Sequence, residues 1–359
     1  MKKKFNIAII GAGNGGQAFA GHLASMGHRV RLFDRDQSKV NEINQSKEIS
    51  LLGALELKGI IDFASTEIKD VIEDASLILV ATTANAHGMV ALQMAPYLKD
   101  EQIIVLNPGR TCGALEFKNV LNEAGIKSHV YVAEAQTLIY ACRLMENGKV
   151  NIIGVKDRVL LSAYPASETQ YVINFLNNLF TCFFPASNIL QTSFENIGAM
   201  FHPIVVLFNA ATIERGQKFY FYRDMTDGLA RLIEAADKER LNVANAYGIT
   251  PIPAFEWVSY AYDGVKGDTL CERMQNNPAY YEILAPMTIN CRQITEDIPM
   301  GIVPIAQLGK AANVNTPILD SLITMCSTLL NKNFYNEGRT LKRLGLDGLN
   351  KGEIIKKIQ

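Results

Sequence analysis

The sequence predicts an α/β domain with a doubly wound, mostly parallel sheet, followed by an all-α domain. Three observations lead to this prediction. Short apolar runs alternate with helical patterns up to about residue 135. After about residue 190 the strand pattern disappears and long helical patterns replace it. The chain has 359 residues, which is long enough for about two domains.

Five apolar runs in the first part of the chain are predicted as strands. They are rich in Ile, Val and Leu and are mostly continuous rather than alternating, as is typical of a parallel sheet covered by helices on both faces. The runs are 5–10, 29–33, 77–82, 102–106 and 130–133. Helical patterns lie between several of them, for example at 15–26 and 87–98. This alternation predicts right-handed crossovers.

Residues 150–156 and 159–164 are predicted as two further strands that are joined by a short polar turn. We expect them to extend the sheet in an antiparallel arrangement. The domain boundary is predicted near residue 188, which gives a first domain of residues 1–188 and a second of residues 189–359.

The second domain is predicted to contain only helices. Its main helical patterns are 192–215, 225–247, 303–312 and 317–330. Thr316 is the expected N-cap of the last pattern, because Pro317 suits the first helical position. Gly248 follows the second pattern where a left-handed cap belongs.

Charge and cysteine usage exclude several classes of protein. The chain has 35 basic and 36 acidic residues, so nothing favours binding to nucleic acid or to an anionic membrane. It has no run of about 18 apolar residues that could span a bilayer. The six cysteines lie far apart, without the spacing of a metal or redox motif. We therefore expect no metal site and a reducing compartment, the cytoplasm.

A glycine pattern follows directly after the first predicted strand. The loop contains the pattern G-x-G-x-x-G in the residues Gly11, Ala12, Gly13, Asn14, Gly15 and Gly16. The first glycine permits a tight turn, the second leaves room for a pyrophosphate, and the third lets helix and strand pack closely. The following helix directs free N–H groups at the phosphates. The pattern predicts a Rossmann domain that binds a nicotinamide dinucleotide through these six residues.

Asp34 ends the second predicted strand, where a carboxylate would accept hydrogen bonds from the ribose hydroxyls. This carboxylate favours NAD, but the neighbouring Arg35 could hold a 2′-phosphate, so NADP stays open. Thr82 and Asn107 follow two later strands at the same edge of the sheet. They are candidates for contact with the ribose or the nicotinamide, and ordinary loop chemistry explains them equally well.

His202 is the candidate for acid–base chemistry. It precedes Pro203 in an apolar helical stretch, and a proline is expected to kink or restart the helix there. A titratable ring at such a break suits a partly desolvated pocket, although a buried histidine bonded to a carbonyl is the simpler interpretation. Arg292 and Asp297 supply a guanidinium and a carboxylate, which could form an ion pair and nothing more. They could also grip a substrate carboxylate and orient the histidine.

Several segments resemble the opine dehydrogenases, the octopine and nopaline dehydrogenase family, and most of all the bacterial N-(1-carboxyethyl)norvaline dehydrogenase type. The resemblance runs in order over essentially the whole chain. The segments are 13–20, 107–109, 113–117, 202–203, 277–280 and 338–341.

This resemblance implies NADH- or NADPH-driven reductive condensation of an amino acid's amine with a 2-keto acid such as pyruvate. It implies that the catalytic histidine is His202, the catalytic aspartate is Asp297, and a substrate-binding arginine is Arg292. Protonated His202, held by Asp297, would supply the proton for loss of water. We further expect substrate selection in the segment 133–137, with Gln136 and Thr137 as candidates.

Two other functions remain open from the sequence. One is a 2-keto or 2-hydroxy acid reductase of the 2-dehydropantoate reductase type, although a lysine would be expected in place of the His202-Pro203 element. The other is a non-catalytic dinucleotide sensor, for which His202 and Asp297 would be unnecessary. The apolar helical half makes a homodimer plausible.

Overall fold

The computed structural model describes residues 3–261 and 264–359, and it divides into two compact units. The first consists of Met1–Thr192 and Lys357–Gln359, and the second of Ser193–Lys356. The first unit thus extends slightly past the predicted boundary at residue 188. The last three residues, which the sequence assigns to the second domain, belong to the first unit. They do so because Ile358 is buried and the carbonyl of Gln359 accepts a hydrogen bond from the Ser167 N–H at 3.1 Å.

The described residues form twelve strands, all of them in the first unit. They are β1 Asn6–Ile10, β2 Arg29–Phe33, β3 Glu48–Gly53, β4 Leu57–Ile60, β5 Phe63–Ser65, β6 Leu77–Val80, β7 Ile103–Leu106, β8 Tyr131–Ala135, β9 Tyr140–Glu146, β10 Lys149–Val155, β11 Val159–Tyr164 and β12 Phe183–Pro185.

Seventeen α-helices lie in the described ranges. They are α1 Asn14–Ser25, α2 Gln37–Ser46, α3 Ile68–Ile72, α4 His87–Met94, α5 Gly113–Glu123, α6 Thr169–Leu176, α7 Ile189–Phe194, α8 Gly198–Phe208, α9 Ala210–Glu214, α10 Asp227–Ala246, α11 Ala254–Ala261, α12 Leu270–Gln275, α13 Arg292–Thr295, α14 Val303–Ala311, α15 Pro317–Leu330, α16 Phe334–Glu337 and α17 Lys351–Ile358. A π-helical segment, Ile298–Ile302, leads into α14. None of the helices in the described ranges is long and apolar enough to cross a membrane.

The main sheet has eight strands in the order β12-β11-β8-β7-β6-β1-β2-β5. All neighbouring strands are parallel except β8 and β11, which are antiparallel. The five strands predicted from the apolar runs are all present, and the prediction of a mostly parallel, doubly wound sheet is confirmed. Strands β1, β6, β7 and β8 end at the same edge, so the loops that follow them lie along one side of the sheet.

A second sheet has four strands in the order β4-β3-β10-β9. The prediction for residues 150–156 and 159–164 is therefore wrong in part, because β10 belongs to this second sheet and only β11 extends the main sheet. The second sheet packs on α1 through two glycines. A Cβ on Gly59 would lie 2.2 Å from the Gly21 carbonyl oxygen, and one on Gly21 would lie 2.9 Å from Ile49 Cγ2.

The second unit consists of helices apart from a single antiparallel bridge between Tyr220 and Leu284 among the described residues. The predicted helix 192–215 is broken before Gly198 and at Asn209, whereas α8 runs through Pro203. The helix therefore does not restart at Pro203, and that part of the prediction is wrong. Pro203 lies in the second turn of α8, where its missing N–H costs one intrahelical hydrogen bond.

Two predicted helix caps have different outcomes. Gly248 has a φ of +75°, as expected for a left-handed cap. Thr316 is at the N-cap position of α15, but its side chain makes no capping hydrogen bond to the backbone. The carboxylate of Glu239 instead accepts hydrogen bonds from the N–H groups of Ile318 (2.9 and 3.1 Å) and Leu319 (3.0 Å).

Candidate active site and nucleotide-binding loop

The glycine loop connects β1 to α1 in the first unit. Gly11 has a φ of +103°, which favours glycine, and its N–H donates to the Phe33 carbonyl at 2.8 Å. A Cβ on Gly16 would lie 1.7 Å from the Gly11 carbonyl oxygen, so only glycine lets helix and turn approach this closely. A Cβ on Gly13 would meet no atom within 4 Å. The structure thus leaves open space at the glycine where the pattern requires room for a pyrophosphate.

The N-terminus of α1 has no side-chain cap. Gly13 is its N-cap residue, and the side chain of Asn14 instead accepts a hydrogen bond from the Leu144 N–H at 3.2 Å. Uncapped N–H groups at a helix N-terminus attract phosphate, both as hydrogen-bond donors and through the helix dipole. The open space at Gly13 and this uncapped helix end fit the pyrophosphate of a dinucleotide.

Asp34 ends β2 beside this loop. One carboxylate oxygen accepts from the Ala12 N–H at 2.9 Å and from Lys39 Nζ at 3.0 Å, and the other accepts from the Asp36 N–H at 3.1 Å. Burial by itself would raise the pKa of Asp34, but these hydrogen bonds outweigh it and lower the pKa below its ordinary value. The group is therefore an ionised carboxylate at neutral pH. Arg35 is exposed and makes no hydrogen bond within the described part of the chain.

Two buried polar atoms at the carboxyl edge of the sheet have no partner among the described residues. They are Oγ1 of Thr82, after β6, and Oδ1 of Asn107, after β7. The amide nitrogen of Asn107 donates to the Val105 carbonyl at 3.0 Å, which fixes the direction of its oxygen. Buried polar atoms are normally hydrogen-bonded, so these two fit a ligand that lies along this edge.

The side chains of the two predicted selection residues have partners after β8. Gln136 Oε1 accepts from the Leu160 N–H at 3.1 Å, which ties the loop to β11. Thr137 Oγ1 accepts from Lys156 Nζ at 2.6 Å, and the same amine donates to the Leu138 carbonyl at 3.0 Å. Burial lowers the pKa of Lys156 to about 8, and the Arg110 guanidinium contributes to the same shift.

The loop after β8 lies beside the glycine loop. A Cβ on Gly15 would lie 2.9 Å from Leu138 Cδ2, so the absence of a side chain at Gly15 lets Leu138 pack against the start of α1. Thr137 and Gln136 are the two residues before Leu138. The structure therefore brings the predicted substrate-selection segment next to the predicted nucleotide loop within the first unit.

In the second unit the structure brings His202 and Asp297 together. His202 Nδ1 lies 2.7 Å from Asp297 Oδ2, where the ring N–H donates to the carboxylate. The side chain of Asp297 is 1% exposed, whereas that of His202 is 20% exposed. A buried carboxylate that holds Nδ1 leaves Nε2 as the ring nitrogen available for proton exchange.

A close approach of backbone segments places Asp297 beside α8. Asp297 precedes the π-helical segment Ile298–Ile302, and in this segment a Cβ on Gly301 would lie 2.7 Å from the Cβ of Ala199. Glycine at position 301 therefore lets the segment pack directly on the first turn of α8, the helix that carries His202. π-Helical segments often occur at functional sites.

The other ring nitrogen of His202 contacts a tyrosine that the sequence interpretation missed. His202 Nε2 lies 3.0 Å from the hydroxyl of Tyr222. The Tyr222 ring stacks on Tyr280 with centroids 4.3 Å apart and an interplanar angle of 20°. Tyr280 belongs to the segment 277–280, which carries part of the family resemblance, and the aromatic run 219–222 was the available signal for Tyr222.

Arg292 begins α13, five residues before Asp297 in the chain. Its side chain is 61% exposed, and Nε lies 3.4 Å from the buried carboxylate of Glu296. No group of three or more His, Cys, Asp or Glu side chains in the described ranges could hold a metal ion.

Two family models match the chain. The model for the α-helical domain of NAD/NADP octopine/nopaline dehydrogenase matches residues 185–330. The model for the N-terminus of NAD-dependent glycerol-3-phosphate dehydrogenase matches residues 6–113. The two matches agree with a dinucleotide-binding first unit and a helical second unit.

Similar proteins cover the whole chain. The chain is 34% identical to an opine dehydrogenase from Arthrobacter sp. (strain 1C), over 97% of each chain. Among solved structures, octopine dehydrogenase with NADH and L-arginine has a TM-score of 0.82 at 21% identity over 97% of each chain. Yersinopine dehydrogenase with NADP⁺ has a TM-score of 0.72 at 17% identity, over 100% of this chain and 98% of that one.

The sequence identity to a curated relative over nearly the full length of both chains decides the family. The structural similarities, at lower identity, agree with it in fold. The chain belongs to the opine dehydrogenase family, NAD(P)-dependent oxidoreductases that act on CH–NH bonds and join an amino acid to a 2-keto acid by reductive condensation.

Proposed function

We propose that His202 is the proton carrier of this reaction and that Asp297 orients it. The observation that supports this proposal is the 2.7 Å hydrogen bond between Nδ1 and a carboxylate that is almost completely buried. Such a carboxylate fixes the tautomer of the imidazole and stabilises its protonated form.

In the proposed reaction the amine adds to the keto carbon and gives a carbinolamine. Its C–O bond then breaks as the nitrogen lone pair forms the C=N bond. Protonated His202 supplies the proton with which the oxygen leaves as water. A dinucleotide held by the glycine loop would supply the hydride for reduction of the C=N bond. In the reverse direction neutral His202 accepts the proton.

Three side chains are proposed to hold the substrates. Arg292 is the candidate for a substrate carboxylate, because its guanidinium is largely exposed and can offer two parallel N–H bonds. Thr137 and Gln136 are the candidates for substrate selection, because Leu138 packs their loop against the start of α1. The Gln136 amide nitrogen and the Thr137 hydroxyl proton are the donors that these side chains offer.

The proposed dinucleotide contacts are the six loop residues 11–16 together with Asp34, Arg35, Thr82 and Asn107. We propose a preference for NAD over NADP, because the ionised Asp34 at the end of β2 would repel a 2′-phosphate. Lys39 and Arg35 provide positive charge nearby, so NADP is the alternative cofactor.

The test is the consumption of NADH and of NADPH with pyruvate, alone and with each of a panel of L-amino acids. We expect turnover only when an amino acid is present, and faster turnover with NADH. The variant His202→Gln, which cannot carry a proton, should lose roughly 10²–10⁴-fold in kcat and retain its dinucleotide affinity.

Two outcomes would contradict the proposal. Turnover with pyruvate alone would show a simple keto acid reductase. A parallel loss of dinucleotide binding and kcat in His202→Gln would show a structural role for the histidine. Circular dichroism of the variant provides the control for folding.

The proposal includes a cytoplasmic homodimer. All six cysteines are free, which agrees with a reducing compartment. The apolar character of the helical half favours self-association, and sedimentation equilibrium of the purified chain measures it directly.

A further inference from the structure

We propose that Tyr222 is a second proton carrier, which passes the proton between His202 Nε2 and the substrate. This inference rests on the proposed role of His202 and adds a group to its proton path. The path consists of the Asp297 carboxylate, the His202 ring and the Tyr222 hydroxyl, joined by contacts of 2.7 and 3.0 Å.

The two ring nitrogens of His202 decide the direction of the path. Nδ1 is held by the buried Asp297, so any exchange of a proton with substrate has to use Nε2. The atom next to Nε2 is the Tyr222 oxygen. A phenol can donate to the neutral ring and accept from the protonated ring, so it can serve in both protonation states. The Tyr222 hydroxyl is therefore the group through which a proton can pass between Nε2 and the substrate.

The surroundings of Tyr222 hold its ring in place. The residue is 8% exposed, its ring stacks on Tyr280, and it forms a T-shaped pair with the Phe221 ring with centroids 4.8 Å apart. The backbone is fixed as well, because the Phe221 N–H donates to the Ile283 carbonyl at 2.7 Å and the Ala285 N–H to the Phe219 carbonyl at 3.0 Å. A ring held on this many sides keeps its hydroxyl on Nε2.

The transfer balances in protons and charge. The leaving oxygen of the carbinolamine takes the hydroxyl proton of Tyr222, and the Tyr222 oxygen takes the proton of Nε2. The C–O bond breaks, the nitrogen lone pair forms the C=N bond, and water leaves. The positive charge moves from the imidazolium to the iminium, and Tyr222 ends the step as a neutral phenol. In the reverse direction each proton moves back along the same path.

The test is the variant Tyr222→Phe, which removes only the hydroxyl and leaves the ring that stacks on Tyr280. We expect kcat to fall roughly 10- to 100-fold, since part of an acid–base contribution is lost. The KM values of both substrates and the dinucleotide Kd should change little. The ¹⁵N shift of His202 Nε2 should also change, and comparison with the spectrum of His202→Gln assigns it among the five histidines.

Tyr140→Phe is the matched control. Its hydroxyl lies 2.8 Å from Nδ1 of His22 in the first unit, so the same kind of tyrosine–histidine contact is lost outside the proposed proton path. The control should keep its kcat. An unchanged kcat in Tyr222→Phe, or a rise in KM at constant kcat, overturns the proposal, because either result assigns Tyr222 at most a binding role.

Folding and the parent proposal are checked separately. Circular dichroism and the fluorescence of Trp257, the single tryptophan, report on folding. If Tyr222→Phe does not fold, the variant Tyr280→Leu takes its place, because it removes the ring on which the phenol is stacked. Tyr280→Leu should lower kcat at constant KM. An unchanged kcat in this variant counts against the proposal. An active His202→Gln contradicts the proposed function itself. An inactive His202→Gln beside a fully active Tyr222→Phe contradicts only the proton path.

Discussion

Two glycines in the nucleotide loop differ in what surrounds the position of the missing Cβ. Gly16 allows contact between protein segments, because its missing Cβ would lie 1.7 Å from the Gly11 carbonyl oxygen. Gly13 has no such neighbour, since a Cβ there would meet no atom within 4 Å. The protein alone therefore explains glycine at position 16, whereas at position 13 the bound phosphate is the proposed reason.

The variant Gly13→Ala should separate binding from folding. Its methyl group enters the space proposed for the pyrophosphate, so we expect the dinucleotide Kd to rise at least about tenfold, roughly 1.4 kcal/mol. The free energy of unfolding should fall by no more than about 1 kcal/mol, the cost of alanine at an N-cap. Isothermal titration with NADH and urea unfolding measure the two effects.

Gly154→Ala is the control for Gly13→Ala. A Cβ on Gly154 also meets no atom within 4 Å, but Gly154 lies in β10 and not in the loop. It should leave the Kd unchanged. If Gly13→Ala bound NADH as tightly as the unmodified chain, the phosphate would have to lie elsewhere.

Side chains whose proposed role depends on contact with another residue were the hardest to predict from the sequence. His202 and Asp297 were named because their chemical types suit acid–base work and because of the family resemblance. Tyr222 was missed, because the aromatic run 219–222 does not show that a tyrosine 20 residues along the chain lies 3.0 Å from His202 Nε2. The same applies to Lys156, which donates to Thr137 Oγ1. Such pairings depend on tertiary structure, not on spacing.

At the scale of elements, α15 is capped by a residue from another helix. The carboxylate of Glu239 in α10 accepts from the N–H groups of Ile318 and Leu319 in the first turn of α15. Burial raises the pKa of Glu239, although these hydrogen bonds oppose the shift. A single side chain thus accepts hydrogen bonds from two N–H groups in the first turn of α15 and connects this helix to α10.

Replacing Glu239 with alanine should lower the free energy of unfolding of the second unit by about 1–2 kcal/mol, because the half-buried Ile318 N–H and the buried Leu319 N–H lose their acceptor. Glu239→Gln keeps one acceptor oxygen and should recover part of the loss. Urea unfolding followed by Trp257 fluorescence measures both variants within the second unit. Equal stability of the alanine and glutamine variants would show that the hydrogen bonds do not matter.

The elements themselves were predictable to different degrees. Strands β1, β6 and β7 are nearly continuous apolar runs, so their sequence pattern is strong, whereas β2 and β8 also contain charged residues. Strands β3, β4 and β5 were missed, because they alternate between buried and partly exposed residues over only three to six positions. Strands β10 and β11 were both recognised, but a turn between two strands does not show which sheet each one joins.

At the scale of the whole molecule, the chain returns to its first unit at the end. After Lys356 the residues Lys357–Gln359 again belong to the unit formed by Met1–Thr192. Ile358 is 1% exposed, and the Gln359 carbonyl accepts from the Ser167 N–H. Ile358 therefore packs within the nucleotide-binding unit, which nothing in the pattern of residues 351–359 predicted.

Deletion of residues 357–359 should therefore destabilise the first unit. Loss of the buried Ile358 side chain costs about 2–5 kcal/mol by analogy with large-to-small core substitutions, and the Ser167 N–H loses its acceptor as well. We expect a lower urea midpoint by far-ultraviolet circular dichroism, together with a dinucleotide Kd that rises as the first unit loosens. Ile358→Val, which removes one methylene group, should cost only about 0.5–1.5 kcal/mol. An unchanged urea midpoint in the truncated chain would mean that residues 357–359 add nothing to the stability of the first unit. We expect the opposite, because the Ile358 side chain is buried.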